Sequence, residues 1–191
     1  MQENCDKDQQ KNFDFNEKFL KTRTILLSGE IDKKSAEKTI SQLLILEAEN
    51  DDPIKIFIDS PGGDVDAAFA IFDMIRFIKP EVIIVSMGLA ASAGALILLA
   101  AEKKNRLGFP NSHYLIHQPL SGIRGVATEI EIHAREMEKT RQKINSIIAE
   151  ETGKPLAQVE KDTDRDYWLT AEEAVEYGLI SRILTSRDEL K

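Results

Sequence analysis

The sequence predicts one α/β domain built on a largely parallel sheet. Short segments with alternating apolar and polar residues, or with β-branched runs, are typical of strands. These segments alternate along the chain with longer segments whose apolar residues recur every three or four positions, as in helices. This alternation predicts a layered α/β fold. The length of 191 residues, 42% of them hydrophobic, suffices for one core.

The domain is predicted to span residues 20–191, and the polar residues 1–19 before it are expected to be a flexible segment. Two strand–helix pairs open the domain, with their ends marked by polar caps, by a turn cluster and by Pro80. In chain order they are strand Thr24–Ser28, a helix from Asp32 or Ser35 to about Glu49, strand Ile54–Ile58, and a helix from the Pro61-Gly62-Gly63 break to Lys79.

The segment Val82–Ala101 contains twenty residues without a charge. We interpret it as strand Val82–Val85, a small-residue corner Met87–Gly94, and a helix to Ala101. Ser92 would then lie at a helix N-terminus, where free N–H groups and the helix dipole favour a developing anion. A membrane span, a serine that only caps a buried helix, or a close-packed joint would also explain the composition.

The remaining chain predicts shorter strands and one long helix. Capping boxes at Thr128-x-x-Glu131 and Thr170-x-x-Glu173 predict two helix starts. The predicted elements are strands Asn105–Phe109 and His113–His117, a helix from Thr128 to about Glu151, a strand-like Tyr167–Leu169, a helix ending at Gly178, and strand Leu179–Leu184.

The long helix has a narrow apolar seam in a densely charged surface. Ile130, Met137 and Ile144 repeat every seven residues. Such a seam fits packing against another subunit, and it fits docking on its own domain equally well.

Several residues carry chemistry, although none identifies a reaction alone. His117 follows a strand, where side chains reach into clefts, but a structural histidine is the simpler interpretation. The backbone N–H groups of Gly62-Gly63 could stabilise an oxyanion, and the pair could equally be a plain turn. Asp166 precedes a strand-like segment and has no distinguishing neighbour. The spacing of His113 and His117 does not suit one metal ion, and we expect no metal site.

Composition excludes some partner classes. A net charge of −8 argues against nucleic acid or an anionic membrane as the main partner. The single cysteine, Cys5, allows no disulfide framework. The N-terminal residues lack the apolar core of a signal peptide, and we expect a cytoplasmic protein.

The motifs from about Phe15 to Leu184 are similar, in order, to those of the ClpP family, the proteolytic subunits of caseinolytic (Clp) proteases. The matching segments are Leu46-Glu47-Ala48-Glu49-Asn50, Asp59-Ser60-Pro61-Gly62-Gly63, Gly88-x-Ala90-Ala91-Ser92-x-Gly94, Pro110-Asn111-Ser112, Ile116-His117-Gln118-Pro119, Glu131-Ile132-His133-Ala134-Arg135-Glu136, Asp162-x-x-Arg165-Asp166 and Ala174-x-Glu176-Tyr177-Gly178-Leu179-Ile180. The resemblance implies the ClpP/crotonase-like fold with a protruding handle at about residues 120–151.

This resemblance implies a serine endopeptidase that cleaves unfolded polypeptides inside a ring chamber. Ser92 matches the nucleophile, His117 the base and Asp166 the orienting acid of the family. Gly63 and Ala93 match the residues that donate backbone N–H groups to the oxyanion. The family needs no cofactor in this chain, because ATP is used by its partner.

The resemblance also implies an assembly. Related subunits form heptameric rings stacked as a 14-mer, with the handle between the rings. Asp164 and Arg165 match ring–ring contacts. Three residues match the family's surface pocket that holds the hexameric ATPase unfoldase: Phe57, Phe77 and Leu184.

The chain departs from the family pattern at three places. Ala93 replaces the usual methionine, Lys55 replaces a commonly aromatic docking residue, and the N-terminus lacks the usual gating pattern. These departures would suit one copy of a mixed-ring pair. Two alternatives therefore stay open: a catalytically weak structural partner of a paralogue, and a crotonase-type acyl-CoA enzyme, since that fold also uses paired oxyanion N–H groups.

Overall fold

The computed structural model describes residues 18–190. The predictions for Cys5 and for most of the N-terminal segment, residues 1–17, lie outside this range. Within it the predicted α/β fold is confirmed, with seven strands in one sheet. The strands are β1 Thr24–Ser28, β2 Ile54–Ser60, β3 Val82–Ala91, β4 Arg106–Gly108, β5 His113–Ile116, β6 Tyr167–Leu169 and β7 Arg182–Ile183. The helices are α1 Lys33–Glu49, α2 Val65–Phe77, α3 Ala93–Leu98, α4 Ala127–Thr152, α5 Leu156–Asp162 and α6 Ala171–Tyr177, with short 3₁₀ turns at Lys103–Asn105 and Arg187–Glu189.

The sheet is parallel except at one strand pair. Strands β1, β2, β3, β4 and β7 lie side by side in that order. Beyond the end of β4, β5 takes over as the parallel partner of β3, and β6 pairs antiparallel with β5. The sheet thus carries a branch at the carboxyl end of β3, which is where ligands and reactive groups gather in parallel sheets.

Strand β3 is longer than the sequence analysis predicted. The predicted corner at Met87–Gly94 is wrong for its first five residues, which continue the strand with a bulge opposite Asp59. Asp59 Oδ1 accepts the Leu89 N–H at 3.0 Å. A side chain at Gly88, where φ is +62°, would come within 2.7 Å of that oxygen. The bulge lets β3 pair with β2 on one side while it reaches β5 on the other.

The uncharged segment Val82–Ala101 forms the centre of the core. It comprises β3 and the short helix α3, and most of its residues are buried. The membrane interpretation is wrong for this segment, because ten of its residues form the central strand β3 of the sheet. Among the helices of residues 18–190, none is long and apolar enough to cross a bilayer.

Several element ends differ from the predictions. The caps at Asp32 and Thr170 are confirmed by side-chain bonds to Ser35 N and Glu173 N. The Thr128 capping box is wrong: the helix begins earlier, and Glu129 accepts the Val126 N–H at 3.4 Å.

The last strand is shorter than the predicted Leu179–Leu184. The N–H groups of Leu179 and Ile180 donate to Ala174 O at the end of α6 and are not available for a strand ladder. Helix α2 also ends at Phe77, two residues before the predicted Lys79.

Helix α4 is anchored only at its C-terminal end. It has 26 residues, about 39 Å at the usual rise. Its buried residues lie in the last nine positions: Ile144, Asn145, Ile148 and Thr152. The apolar seam of this helix therefore has two parts. Ile144 packs on the chain's own domain, whereas Ile130 is 42% exposed.

Candidate active site

Strand register brings the three predicted catalytic residues to one place. Ala91 of β3 pairs with Leu115 of β5, and Ile116 pairs with Tyr167 of β6. The next residue on each strand is Ser92 after β3, His117 after β5 and, because β6 runs antiparallel, Asp166 before it. The branch of the sheet thus aligns residues that are far apart in sequence.

Ser92 occupies a backbone conformation that is rare for residues with a side chain. Its φ and ψ angles are 54° and −117°, and it directly precedes α3. Such a conformation costs of order 1–3 kcal/mol and persists only where the surroundings enforce it. Here the Ser92 N–H donates to Leu115 O at 2.8 Å. Gly62 packs so closely that a Cβ there would lie 2.7 Å from Ser92 Cβ. The Leu115 bond and the close contact with Gly62 therefore hold the Ser92 backbone in this conformation.

His117 stands between Ser92 and Asp166. Its Nδ1 lies 3.3 Å from Asp166 Oδ1, within hydrogen-bond reach. The histidine side chain is 13% exposed, whereas the aspartate is 62% exposed. On its other side, His117 lines an apolar cavity together with Ser92. In the part of the chain that the structure describes, no hydrogen bond joins the Ser92 hydroxyl to His117, so the contact that would activate the serine is open in this state.

Two backbone N–H groups lie next to the serine. Ala93 is the first residue of α3, so its N–H has no intrahelical acceptor. Gly63 forms a parallel bridge with Ile31, in which Ile31 N donates to Gly62 O and Asp64 N donates to Ile31 O. The Gly63 N–H takes no part in that bridge, and within residues 18–190 it has no protein acceptor. Both groups are available to an anion.

The glycine turn has no room for side chains. Gly63 has a φ of +148°, and a Cβ there would meet Ile31 O at 2.2 Å. Ser60 Oγ accepts the Gly62 N–H at 3.1 Å and donates to Gly29 O at 2.6 Å. The turn is therefore rigidly attached to β1 and β2. Asp64 caps α2 through Ala67 N at 2.7 Å and so has a structural role.

The cavity beside Ser92 was not predicted from the sequence. It is narrow, about 30 Å³, and lined by apolar side chains from α2, α3, β5, the loop after β5, and α4. The wall residues include Val65, Leu96, Pro119, Ile144 and Ile148. The repeat of Ile144 and Ile148 on α4 was visible in the sequence as part of the seam. Its direction was not, because periodicity does not reveal which part of a seam faces the protein's own domain.

A buried hydrogen-bond network supports the strand that precedes Ser92. Tyr114 on β5 is fully buried, and its hydroxyl bonds to Ser86 Oγ. Ser86 Oγ also donates to Leu107 O at 3.1 Å. Burial raises the pKa of Tyr114 to about 12. The network ties β3, β4 and β5 together at the branch point.

The predicted ring-contact residues lie beside the site and are open to solvent. Arg165 is 92% exposed and Asp164 is 63% exposed, with 3.9 Å between Arg165 Nε and Asp164 Oδ2. Gln118 Nε2 donates to Asp164 O at 2.6 Å, which links this loop to the residue after His117.

The predicted docking residues are only partly brought together. Phe57 and Leu184 line one surface pocket with Phe109, which stacks on Phe57 at 6.4 Å between ring centroids. Phe77 is not among the residues that line it, and it is 77% exposed at the end of α2.

The comparisons with known proteins agree with this geometry. A family model described as Clp protease matches residues 7–187. The chain belongs to the Clp protease family. As a proteolytic subunit of that family, it is a serine peptidase.

Relatives and a solved structure give the extent of the similarity. The chain is 64% identical over 175 residues to the ATP-dependent Clp protease proteolytic subunit 2 of Treponema denticola, covering 91% of this chain and 88% of that one. It is 51% identical over 170 residues to proteolytic subunit 3 of Rhizobium etli, covering 89% and 88%. A mutant of ClpP1 from Listeria monocytogenes superposes with a TM-score of 0.87 at 50% identity, covering 93% of this chain and 99% of that one.

Proposed function

We propose that this chain cleaves unfolded polypeptides as an endopeptidase, with Ser92 as nucleophile, His117 as general base and Asp166 as the acid that orients the imidazole. The observation that supports the proposal is the register of β3, β5 and β6, which brings Ser92, His117 and Asp166 to neighbouring strand ends, with His117 Nδ1 3.3 Å from Asp166 Oδ1.

The chemistry follows from ordinary reactivity. A serine hydroxyl is a weak nucleophile until a neighbouring base takes its proton. His117 takes that proton as Ser92 Oγ attacks the scissile carbonyl, and Asp166 stabilises the imidazolium that forms. His117 then returns the proton to the leaving amine, and a water molecule repeats the sequence to release the acyl group. The chain supplies every group for these steps, and no cofactor takes part in them.

Gly63 and Ala93 are the proposed oxyanion donors. Their N–H groups lie on the rigid glycine turn and at the first residue of α3. The dipole of α3 adds to the stabilisation of a negative oxygen at that end. Loss of one such donor typically lowers the rate about 10²–10³-fold.

We also propose heptameric rings stacked as a 14-mer, homomeric or mixed with a paralogue, in the cytoplasm. The exposed part of α4 with Ile130 and Ile132 fits an inter-ring contact, and exposed Asp164 and Arg165 offer opposite charges to a facing ring. A hexameric Clp ATPase would dock at the surface pocket that contains Phe57 and Leu184, and exposed Phe77 would add a further apolar contact.

Because no hydrogen bond joins Ser92 to His117 in the single chain, we infer that assembly of the rings activates the peptidase. Asp166 is mostly exposed and adjoins the two proposed ring-contact residues, so a facing ring would reduce its mobility and that of His117. The second candidate is a catalytically weak partner of a paralogue, and the subunit numbers 2 and 3 of the relatives fit the existence of such a paralogue.

A fluorophosphonate reagent tests the proposal directly. We expect labelling of Ser92 in the assembled protein and its loss in Ser92→Ala and His117→Ala, with the assembled mass unchanged. Each variant is also mixed with the paralogue from the same cell. Absence of labelling in assembled homomeric and mixed complexes would reject the catalytic role and leave the structural one.

A further inference from the structure

The two helices that follow the proposed oxyanion donors are joined at their far ends. Gly63 lies just before α2, and Ala93 is the first residue of α3. The far end of α3 is at Leu99, seven residues or about 10 Å from Ser92. Any rotation of one helix against the other about this far end would change the separation of the two N–H groups.

Arg76, in the last turn of α2, makes that connection. Its Nη2 donates to Leu99 O, the C-cap of α3, at 3.2 Å. The same guanidinium lies over the Phe72 ring at 4.4 Å and is paired with Glu151 of α4. Three elements around Ser92 therefore meet at one side chain: α2 and α3 with the donors, and α4, whose Ile144 and Ile148 line the cavity.

Glu151 is itself held in place by a buried cation. Arg106 is 1% exposed, and it pairs with the Glu151 carboxylate while its Nη1 donates to Glu151 O at 3.0 Å. Its Nε donates to Ala101 O at 2.8 Å. The carboxylate that Arg76 contacts is thus a fixed point of the core.

We propose that Arg76 is a positioning residue for the peptidase reaction: it fixes α3 to α2 and α4, and thereby sets the position of the Ala93 N–H relative to the Gly63 N–H, which the bridge to Ile31 holds. The inference rests on the proposed oxyanion role of those groups. A displacement of about 1 Å in such a site can cost about 10²-fold in rate.

This role predicts a loss in rate rather than in folding. The Arg76 side chain is 41% exposed, and partly exposed ion pairs contribute little to stability. Helix α2 keeps its buried residues Ile71, Phe72 and Ile75 in any case. Removing Arg76 also leaves Glu151 paired with Arg106, so no buried charge is left alone.

The test compares Arg76→Met with Lys104→Met in the assembled protein. Lys104 is a matched control, because it is an ion-paired cation whose partners, Glu81 and Glu102, line the same surface cleft as Arg76 but lie outside α2 and α3. The measurements are kcat and KM for a short peptide, the fluorophosphonate labelling rate and the assembled mass. The affinity for a peptide boronate, which forms a tetrahedral adduct, is also compared with the affinity for an unreactive peptide of the same sequence.

For Arg76→Met we expect kcat to fall at least 10-fold, bounded by the 10²–10³-fold cost of a lost donor, with KM within twofold. Boronate affinity should fall in proportion to kcat while affinity for the unreactive peptide does not. Arg76→Lys, which keeps a cation that can reach Glu151, should recover part of kcat, and Lys104→Met should equal the wild type.

Equal kcat in Arg76→Met and Lys104→Met would overturn the inference. The inference would also be overturned if kcat fell only because the assembly dissociated. It would be overturned as well if the affinities for the boronate and for the unreactive peptide fell equally. Failure of the proposed function itself gives a different result, since the wild-type assembly would then not be labelled at all.

Discussion

The contact between Gly62 and the turn at Ser92 gives the sharpest mutational prediction. In Gly62→Ala the new Cβ would lie 2.7 Å from Ser92 Cβ, 2.9 Å from Ala91 O and 3.1 Å from Ala93 N. Carbon atoms at contact are about 3.5–4.0 Å apart, so the turn would have to move by roughly 1 Å. Because two of the three neighbours are backbone atoms, the shift cannot be absorbed by a side-chain rotation. A displacement of that size predicts a fall of about 10²-fold in kcat/KM.

Gly29→Ala is the matched control for the backbone strain. Gly29 has a φ of +88°, close to the +98° of Gly62, and a Cβ there would meet nothing within 4 Å. Both variants should lose about 1–2 kcal/mol because an L residue is placed in the left-handed region. For a chain of this size that corresponds to roughly 2–8 °C in the thermal midpoint.

The assay measures the midpoint, at one protein concentration, and the fluorophosphonate labelling rate for both variants. Both midpoints should fall, further in Gly62→Ala because its new Cβ also clashes with the turn, while only Gly62→Ala loses labelling in the folded protein. Equal labelling of the two variants would show that the glycine does not constrain the nucleophile, and the account of the Ser92 turn would be refuted.

Two further predictions concern charged or titrating groups. In Asp166→Asn, kcat should fall about 10²–10⁴-fold at unchanged assembled mass, because an amide does not stabilise the imidazolium; a kcat within threefold of the wild type would remove Asp166 from the mechanism. In Tyr114→Phe, stability should fall by about 0.5–1.5 kcal/mol below pH 10, since the bond to Ser86 is lost. The raised pKa of Tyr114 means that the unfolded chain loses this proton near pH 10 and the folded chain only near pH 12. The protonated Tyr114 hydroxyl therefore stabilises the folded chain below pH 10. This stabilisation is lost between pH 10 and 12 and amounts to at most about 3 kcal/mol. Urea unfolding at pH 9 and at pH 11.5 gives the free energy of unfolding of the wild type and of Tyr114→Phe. The loss of this free energy between the two pH values should be smaller in Tyr114→Phe, and equal losses would contradict the assignment.

Local sequence signals identified many of the elements because each depends on near neighbours. The caps at Asp32 and Thr170 were predictable, since a cap bonds a backbone N–H three residues away. The same rule failed at Thr128, because the helix begins earlier, where Val126 donates to Glu129. A shift of a helix start by two residues, from a cap at Thr128 to one at Val126, leaves the local pattern almost unchanged.

Strand β3 shows where local reasoning ends. Gly88 and the small residues after it suggested a corner, but two neighbouring strands pair with this stretch and keep it extended. The bulge opposite Asp59 is a tertiary event, because it depends on a carboxylate 30 residues away that accepts the Leu89 N–H.

The sequence by itself determined the α/β class, the helix that starts at Ser92, and, through its similarity to the ClpP family, which serine, histidine and aspartate to examine. Only the tertiary structure decided that these three meet, that the contact between Ser92 and His117 is open, and that Arg76 ties the two donor helices together. The physical reason is the range of the interactions. Periodicity and capping act over a few residues, whereas strand register, the Gly62 contact and the Glu151 ion pairs join segments 22 to 75 residues apart.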